Sequence, residues 1–172
     1  MRVLRYLWRL PLLFLHGTIG LFAVVVLMGP IGRAMKLDQW GIRSYSRLLL
    51  RCFGMRATRV GTPLPGAAMF VANHVSWIDI VVLHSQRMMG FVAKREIAGW
   101  PVVGWMATRA ETIYHQRGDT QSLGGVLHEM LARLRQGRSV AVFPEGRTRD
   151  GREIGPFHAR IFLAAVESGA PV

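Results

Sequence analysis

Residues 67–80 read AAMFVANHVSWIDI, and the reading of this stretch decides the fold. Residues 67–72 form a short apolar run, preceded by the turn-forming TPLPG of residues 62–66. Such a run, bounded in this way, predicts a buried β-strand. It empties into Asn73 and His74, and residues 78–83 then read as the start of a helix. The same texture recurs downstream, with no low-complexity segment and no internal repeat. Residues 90–93 and 112–114 predict strands, and residues 139–143 another. Between them Leu123, Val126, Leu127, Met130, Leu131 and Leu134 keep helical spacing up to Gly137, which supplies the stop. A last helix is expected over residues 160–168, and residues 170–172 look like the entrance to one more strand. Strands that alternate with helices specify an α/β domain with a largely parallel or mixed sheet flanked by helices. In such sheets ligands gather where strands end at their carboxyl side. Both the Asn-His pair and the Pro-Glu-Gly of residues 144–146 fall at such ends.

Two readings of residues 74–79 stand side by side. Ser76 and Asp79 fit a capping box, in which the hydroxyl starts the helix and the carboxylate reaches back. Alternatively, His74 and Asp79 form a proton-transfer pair. Within one helix a five-residue separation would set the two side chains about 140° apart. With His74 just outside the helix and Asp79 in its first turn, the misfit disappears. A carboxylate on one ring nitrogen would fix the tautomer and leave the other nitrogen to take a proton from an alcohol.

A second constellation lies in VAVFPEGRTRDG, residues 140–151. The strand breaks at Pro144, and Glu145, Gly146, Arg147, Thr148 and Arg149 follow in a loop. Glycine permits close backbone approach, and paired arginines suit a phosphate or carboxylate through forked hydrogen bonds. A charged turn would account for the same residues. Arg117 is a third basic residue at a predicted strand end, where a solvated arginine is equally at home. No metal is expected: His84, His115, His128 and His158 are scattered, without ligand spacing around His74 and Asp79. No G-x-S-x-G elbow points to a serine nucleophile.

Composition narrows the partners. The 172 residues are 51% hydrophobic and carry 22 Lys+Arg against 10 Asp+Glu, a net charge of +12. One domain with a single core fits this length, and the charge favours an anionic partner, nucleic acid or acidic lipid. Lone Cys52 excludes an internal disulfide and fits a reducing compartment. Residues 10–31 contain no Asp, Glu, Lys or Arg and are bracketed by Arg9 and Arg33. That is about the length needed to cross a hydrocarbon core as a transmembrane helix. No small-residue cleavage site follows, so removal as a signal peptide is not expected. Gly17, Gly20, Gly29 and Pro30 could break the run into a shallow hairpin, and arginines on both sides suit a hairpin with both ends cytoplasmic. In residues 40–55, Arg43, Arg47 and Arg51 share one helical stripe, while Ile42, Tyr45, Leu49 and Cys52 fall on another face. A basic amphipathic helix beside an apolar run reads as an interfacial element on anionic membrane lipid. The expected organisation is a membrane-associated helical region over residues 1–58 and a catalytic domain over residues 59–172. A soluble nucleic-acid binder is disfavoured by the apolar run and by the lack of any reading motif. A basic membrane-surface module without catalysis remains the alternative class.

In order and spacing, these segments resemble the glycerolipid acyltransferase family typified by bacterial 1-acyl-sn-glycerol-3-phosphate acyltransferases. The family's N-H-x-S-x-x-D motif is matched at Asn73, His74, Ser76 and Asp79, its F-P-E-G at residues 143–146, and a later Pro-Phe at Pro156 and Phe157. The resemblance implies an acyl group moved from acyl-CoA or acyl carrier protein to the hydroxyl of a lysophospholipid, with lysophosphatidate as acceptor. His74 would be the general base and Asp79 its orienting partner. Asn73, Ser76, Arg117, Glu145, Gly146, Arg147, Thr148 and Arg149 would bind substrate. No cofactor is implied, since the acyl donor is a substrate. The expected location is the inner (cytoplasmic) membrane, with the catalytic domain facing the cytoplasm. The chain departs from the family pattern at Glu111, where the second motif opens with Gly, and at His115 among that motif's apolar positions. It departs again at residues 147–149, where Thr-Arg-Ser is common, and at His158, where Lys is frequent. These differences cluster on the acceptor side and keep another lysolipid, such as lyso-ornithine lipid, as an alternative. The family's fourth motif should begin about where residue 172 stands, so a domain truncated at its C-terminus is expected.

Overall fold

The computed structural model describes residues 2–27, 37–116 and 120–172. These fall into two compact units, Met1–Val60 with Ile80–Met88, and Gly61–Asp79 with Met89–Val172.

The first unit is built on α1, Arg2–Leu27, and α2, Leu37–Cys52. Helix α1 runs unbroken through Pro11, Gly17 and Gly20, although its glycines could have interrupted it. Two glycines allow the helices to approach closely: a side chain at Gly20 would overlap the Tyr45 ring, and one at Gly41 would meet Leu27. His16 is buried one turn before Gly20 and stacks on Tyr45, ring centroids 4.1 Å apart. Burial lowers the pKa of the His16 imidazole and raises that of the Tyr45 phenol. On α2, Arg43, Arg47 and Arg51 are exposed as the four-residue spacing predicts, but the buried face is centred on Ser46, Leu50 and Cys52, with Ile42, Tyr45 and Leu49 only half-buried. Among the described residues no helix is long and apolar enough to cross a membrane. The crossing expected for residues 10–31 is therefore not observed. One stripe of that run is instead occupied in helix packing through His16, Gly20 and Leu27, and residues 28–36 lie outside the described set.

The second unit carries a parallel sheet of β1 (Met69–Val71), β2 (Gly90–Lys94), β3 (Ile113–His115) and β4 (Val140–Val142). The strand order is β1-β4-β2-β3, and every neighbouring pair is parallel. All three residues of β4 are buried, as a central parallel strand requires. Helix α3, Ile78–Gln86, starts in this unit beyond β1. Helix α4, Val103–Arg109, follows a 3-10 turn at Arg95–Gly99. Helix α5, Thr120–Arg135, lays Val126, Met130 and Leu134, spaced four apart, on Met69, Ile113, Val140 and Val142. A second 3-10 turn, Ala159–Phe162, leads into α6, Leu163–Ser168, which adds Ala164 and Ala165 to the same core. Gly137 adopts φ 76° and ends α5 as predicted. The 3-10 turn and α4, residues 95–109, have no counterpart among the predicted elements. The chain around Pro171 runs along the free side of β1, where the Met69 amide donates to the Pro171 carbonyl at 2.9 Å.

Candidate active site

Strands β1 and β4 pair in parallel with Val71 opposite Val142. Three residues beyond each strand end, this register brings His74 opposite Glu145, so the two motifs meet at the carboxyl edge. The contact is direct: the His74 amide points at Glu145 Oε2, 3.5 Å away. A second stitch follows, as the Arg149 amide donates to the His74 carbonyl at 2.8 Å.

Asp79 lies in the first turn of α3, and its carboxylate folds back over the preceding loop. Asp79 Oδ2 lies 2.9 Å from His74 Nδ1. The same oxygen accepts the amides of Val75 at 2.7 Å and Ser76 at 2.9 Å. Ser76 Oγ accepts the Ile78 amide at 3.2 Å, so the hydroxyl caps the helix. Both roles foreseen for Asp79 are therefore served by one oxygen. A carboxylate offers only lone pairs, so three groups around it must all donate. The geometry accordingly puts a hydrogen on His74 Nδ1, and in the neutral imidazole this tautomer carries its lone pair on Nε2. The imidazole lies flat on Phe143, centroids 4.0 Å apart and planes 12° from parallel, and Phe143 in turn stacks on Phe91. Side chains of His74 and Asp79 keep 18% and 25% of their surface exposed, enough for access from outside.

The loop after β4 is closed by Glu145, whose side chain is only 1% exposed. Its Oε1 accepts the Gly155 amide at 3.0 Å, and its Oε2 lies 3.7 Å from Arg149 Nε. Gly146 takes the left-handed conformation, φ 70°, with the His158 ring 3.3 Å from where a Cβ would stand. Gly155 sits against a side chain as well: a Cβ there would overlap the Arg149 guanidinium as it is now placed. Arg147 and Thr148 are exposed on the same loop, as is Asn73 after β1. Arg117 lies outside the described residues. The role of Gly155 escaped sequence reasoning: only its turn-forming neighbour Pro156 marked the position, and its partner is a tertiary contact. Among the described residues no group of three His, Cys, Asp or Glu side chains could hold a metal ion. A cleft of about 400 Å³ between β3 and α5, lined by Tyr114, Ser122, Glu129 and Arg133, is separate from this constellation.

Residues 58–172 match the protein-family model described as Acyltransferase. A lyso-ornithine lipid O-acyltransferase of Pseudomonas aeruginosa is 39% identical over 105 residues, 60% of this chain and 40% of that protein. A 1-acyl-sn-glycerol-3-phosphate acyltransferase of Neisseria gonorrhoeae is 34% identical over 119 residues, 69% of this chain and 47% of that protein. The chain thus spans less than half the length of these two relatives. Its fold matches the crystal structure of the 1-acyl-sn-glycerophosphate acyltransferase from Thermotoga maritima with a TM-score of 0.76. That match has 23% identity and covers 99% of this chain and 71% of the other.

Proposed function

Because the chain belongs to the acyltransferase family, we propose that it is the acyl-transferring part of an enzyme that acylates the free hydroxyl of 1-acyl-sn-glycerol-3-phosphate. The product is phosphatidic acid, and the donor is acyl-CoA or acyl carrier protein. The observation that carries this reading is the 2.9 Å contact between His74 Nδ1 and Asp79 Oδ2 at the end of β1. In the proposed reaction His74 Nε2 takes the proton of the acceptor hydroxyl as its oxygen attacks the thioester carbonyl. The new O–C bond forms, the C–S bond breaks, and the proton passes from the imidazole to the departing sulfur. Asp79 holds the ring in the required tautomer and stabilises the imidazolium that forms between the two transfers. Asn73, Ser76, Gly146, Arg147, Thr148, Arg149 and Arg117 are assigned to substrate binding, the arginines to the acceptor's anionic group. Glu145 serves the same region by tying the two loops together, since its carboxylate is occupied by Gly155 and the His74 amide. The reading invokes no cofactor and no metal.

We further read residues 1–58 as the membrane-associated part and residues 59–172 as the acyltransferase domain. Exposed Phe14, Phe22 and Leu10 on α1, beside the arginine stripe of α2, support an interfacial attachment. The inner (cytoplasmic) membrane is the location that such an attachment and a lipid acceptor suggest. A second acceptor has a specific observation behind it: the Pseudomonas aeruginosa relative is named for lyso-ornithine lipid.

The test is an acceptor panel on the full-length protein, lysophosphatidate against lyso-ornithine lipid, with acyl-CoA and acyl carrier protein as donors. Lysophosphatidate is expected to give the higher kcat/KM. Exclusive turnover of lyso-ornithine lipid would transfer the assignment to the alternative, and no turnover with any pair would reject the enzyme reading.

A further inference from the structure

The segment that follows β2 is built to hold apolar side chains in solvent. Trp100 is 56% exposed and Val102 52%, with Val103 and Trp105 also open. The backbone around them is fully engaged rather than loose. Trp100 N donates to the Ile97 carbonyl, Gly104 N to the Trp100 carbonyl at 2.9 Å, and Met106 N to the Val102 carbonyl at 2.8 Å. Val102 sits at φ 60° and ψ −57°, and the Val103 amide closes on the Pro101 carbonyl at 2.5 Å. This is a γ-turn of the rare, strained hand, at a β-branched residue that avoids positive φ. Such strain persists only where the surroundings impose it. Here they do: a Cβ at Gly104 would collide with the carbonyls of Ile97 and Ala98, and the Gly104 carbonyl accepts from both Thr108 Oγ1 and Tyr114 Oη. A hydrogen-bonded support thus presents an apolar tip that stays about half exposed.

Its charges and position indicate what the tip meets. Lys94, Arg95 and Arg109 flank it, against Glu96 as the one acid of residues 94–109, and the Arg109 guanidinium lies over the Trp105 ring at 5.4 Å. An aromatic tip ringed by cations complements the interface of an anionic bilayer, where indoles settle at headgroup depth. The tip leaves the carboxyl end of β2, and β1, β4 and β2 run parallel. It therefore projects from the same edge as His74, where exposed Val75 and Trp77 also stand.

We propose that residues 95–105 are a membrane-docking element of the catalytic unit, seating Trp100, Val102 and Val103 in the headgroup region of an anionic bilayer and turning the His74 edge toward it. The contact is additional to any made by α1 and α2. Its benefit to catalysis rests on the lipid-acceptor reading above, whereas the docking itself is measured without turnover.

The experiment places a polarity-sensitive fluorophore on Val102→Cys in the full-length protein, with Gln136→Cys, on the turn beyond α5, as reference. Native Cys52 is buried. With phosphatidylglycerol vesicles, the label at 102 should shift to the blue and be quenched by lipids brominated in their acyl chains, while the label at 136 should not. Trp100→Ser combined with Val102→Ser should weaken binding to these vesicles about tenfold, with unchanged circular dichroism. Weakening of the interaction by salt should be steeper in the parent than in Arg95→Gln. A label at 102 that stays in water while the protein binds vesicles through its N-terminal unit would overturn the proposal. So would a response to acyl carrier protein alone, which would make the tip a protein-docking surface. Insertion without any acyl transfer would leave the docking intact and remove the enzymatic reading instead.

Discussion

At the carboxyl edge of the sheet Asp79 meets His74 at 2.9 Å, and at the amino edge Glu111 meets Arg138 at the shorter distance of 2.8 Å. The second constellation is the more completely closed. Glu111 also faces Arg133, whose Nη1 donates to the Glu111 carbonyl while its Nε is held by Glu129 at 2.8 Å. The Glu111 and Arg133 side chains are 12% and 11% exposed. Gly90, the first residue of β2, leaves the space for this contact, since a side chain there would meet both the Arg133 guanidinium and the Glu111 carbonyl. The group thereby fastens the turn before β3 to α5. At the carboxyl edge the carboxylate is equally committed, to two amides and one imidazole nitrogen, but the imidazole has a second nitrogen. That nitrogen is the difference. A guanidinium cannot give up its proton near neutral pH and can only pair, whereas an imidazole held at Nδ1 can take a proton at Nε2.

The contrast is broken most directly at His74. His74→Ala is expected to lower turnover by about 10³-fold or more while the melting temperature of the full-length protein stays within a few degrees. A folded variant with native rates would remove the general-base assignment. Asp79→Asn should cost about 10²-fold or more in kcat, together with about 1 kcal/mol of stability from the weakened cap. A stability loss alone, measured by denaturant titration alongside initial rates, would reduce Asp79 to a capping residue.

The amino edge should respond in the opposite sense, in stability rather than rate. Glu111→Gln takes the carboxylate from Arg138, while Arg133 keeps Glu129, and should destabilise by about 1–2 kcal/mol, with kcat/KM within about twofold of the parent. Glu111→Gly sharpens the point, because the backbone there sits at φ 64°, a conformation natural to glycine. Relief of that strain should return about 1 kcal/mol of the loss, so Gly should prove milder than Gln in the same melt. The smallest effect is expected at Gly155→Ala. The added methyl displaces the Arg149 side chain, which can move aside at a cost of about 1 kcal/mol, and the rate should fall only a few fold. A larger fall in kcat at unchanged stability would show that Arg149 touches the reacting groups.

Much of the second unit was legible in its residues because its signals are local. The strand over residues 67–72, the helix after residue 78 and the stop at Gly137 all follow from apolar runs, spacing and turn chemistry within a dozen residues. They emerge as Met69–Val71, Ile78–Gln86 and the end of Thr120–Arg135. The predicted ends of strands also put His74 and Glu145 at one edge. The pairing of Asp79 with His74 was foreseen as one of two options, and local geometry joined them, since three donors within five residues converge on one oxygen.

What the residues alone could not supply is everything carried by register and close approach. The meeting of His74 with Glu145 depends on a strand order of β1-β4-β2-β3 and a pairing 71 residues apart, which no window of sequence contains. The same holds for Glu111: as a sequence residue it is a departure from glycine, and only Arg133 and Arg138, brought in by the fold, explain how a left-handed glutamate is held. Gly20 points the same way. Read locally it weakens a helix; in the structure α1 runs on through it, and the Tyr45 ring fills the space that it leaves. Backbone preference is a property of a few neighbouring residues and can be read from them. Packing, pairing and the direction of a buried charge are decided between segments far apart in the chain, and these only the tertiary structure determines.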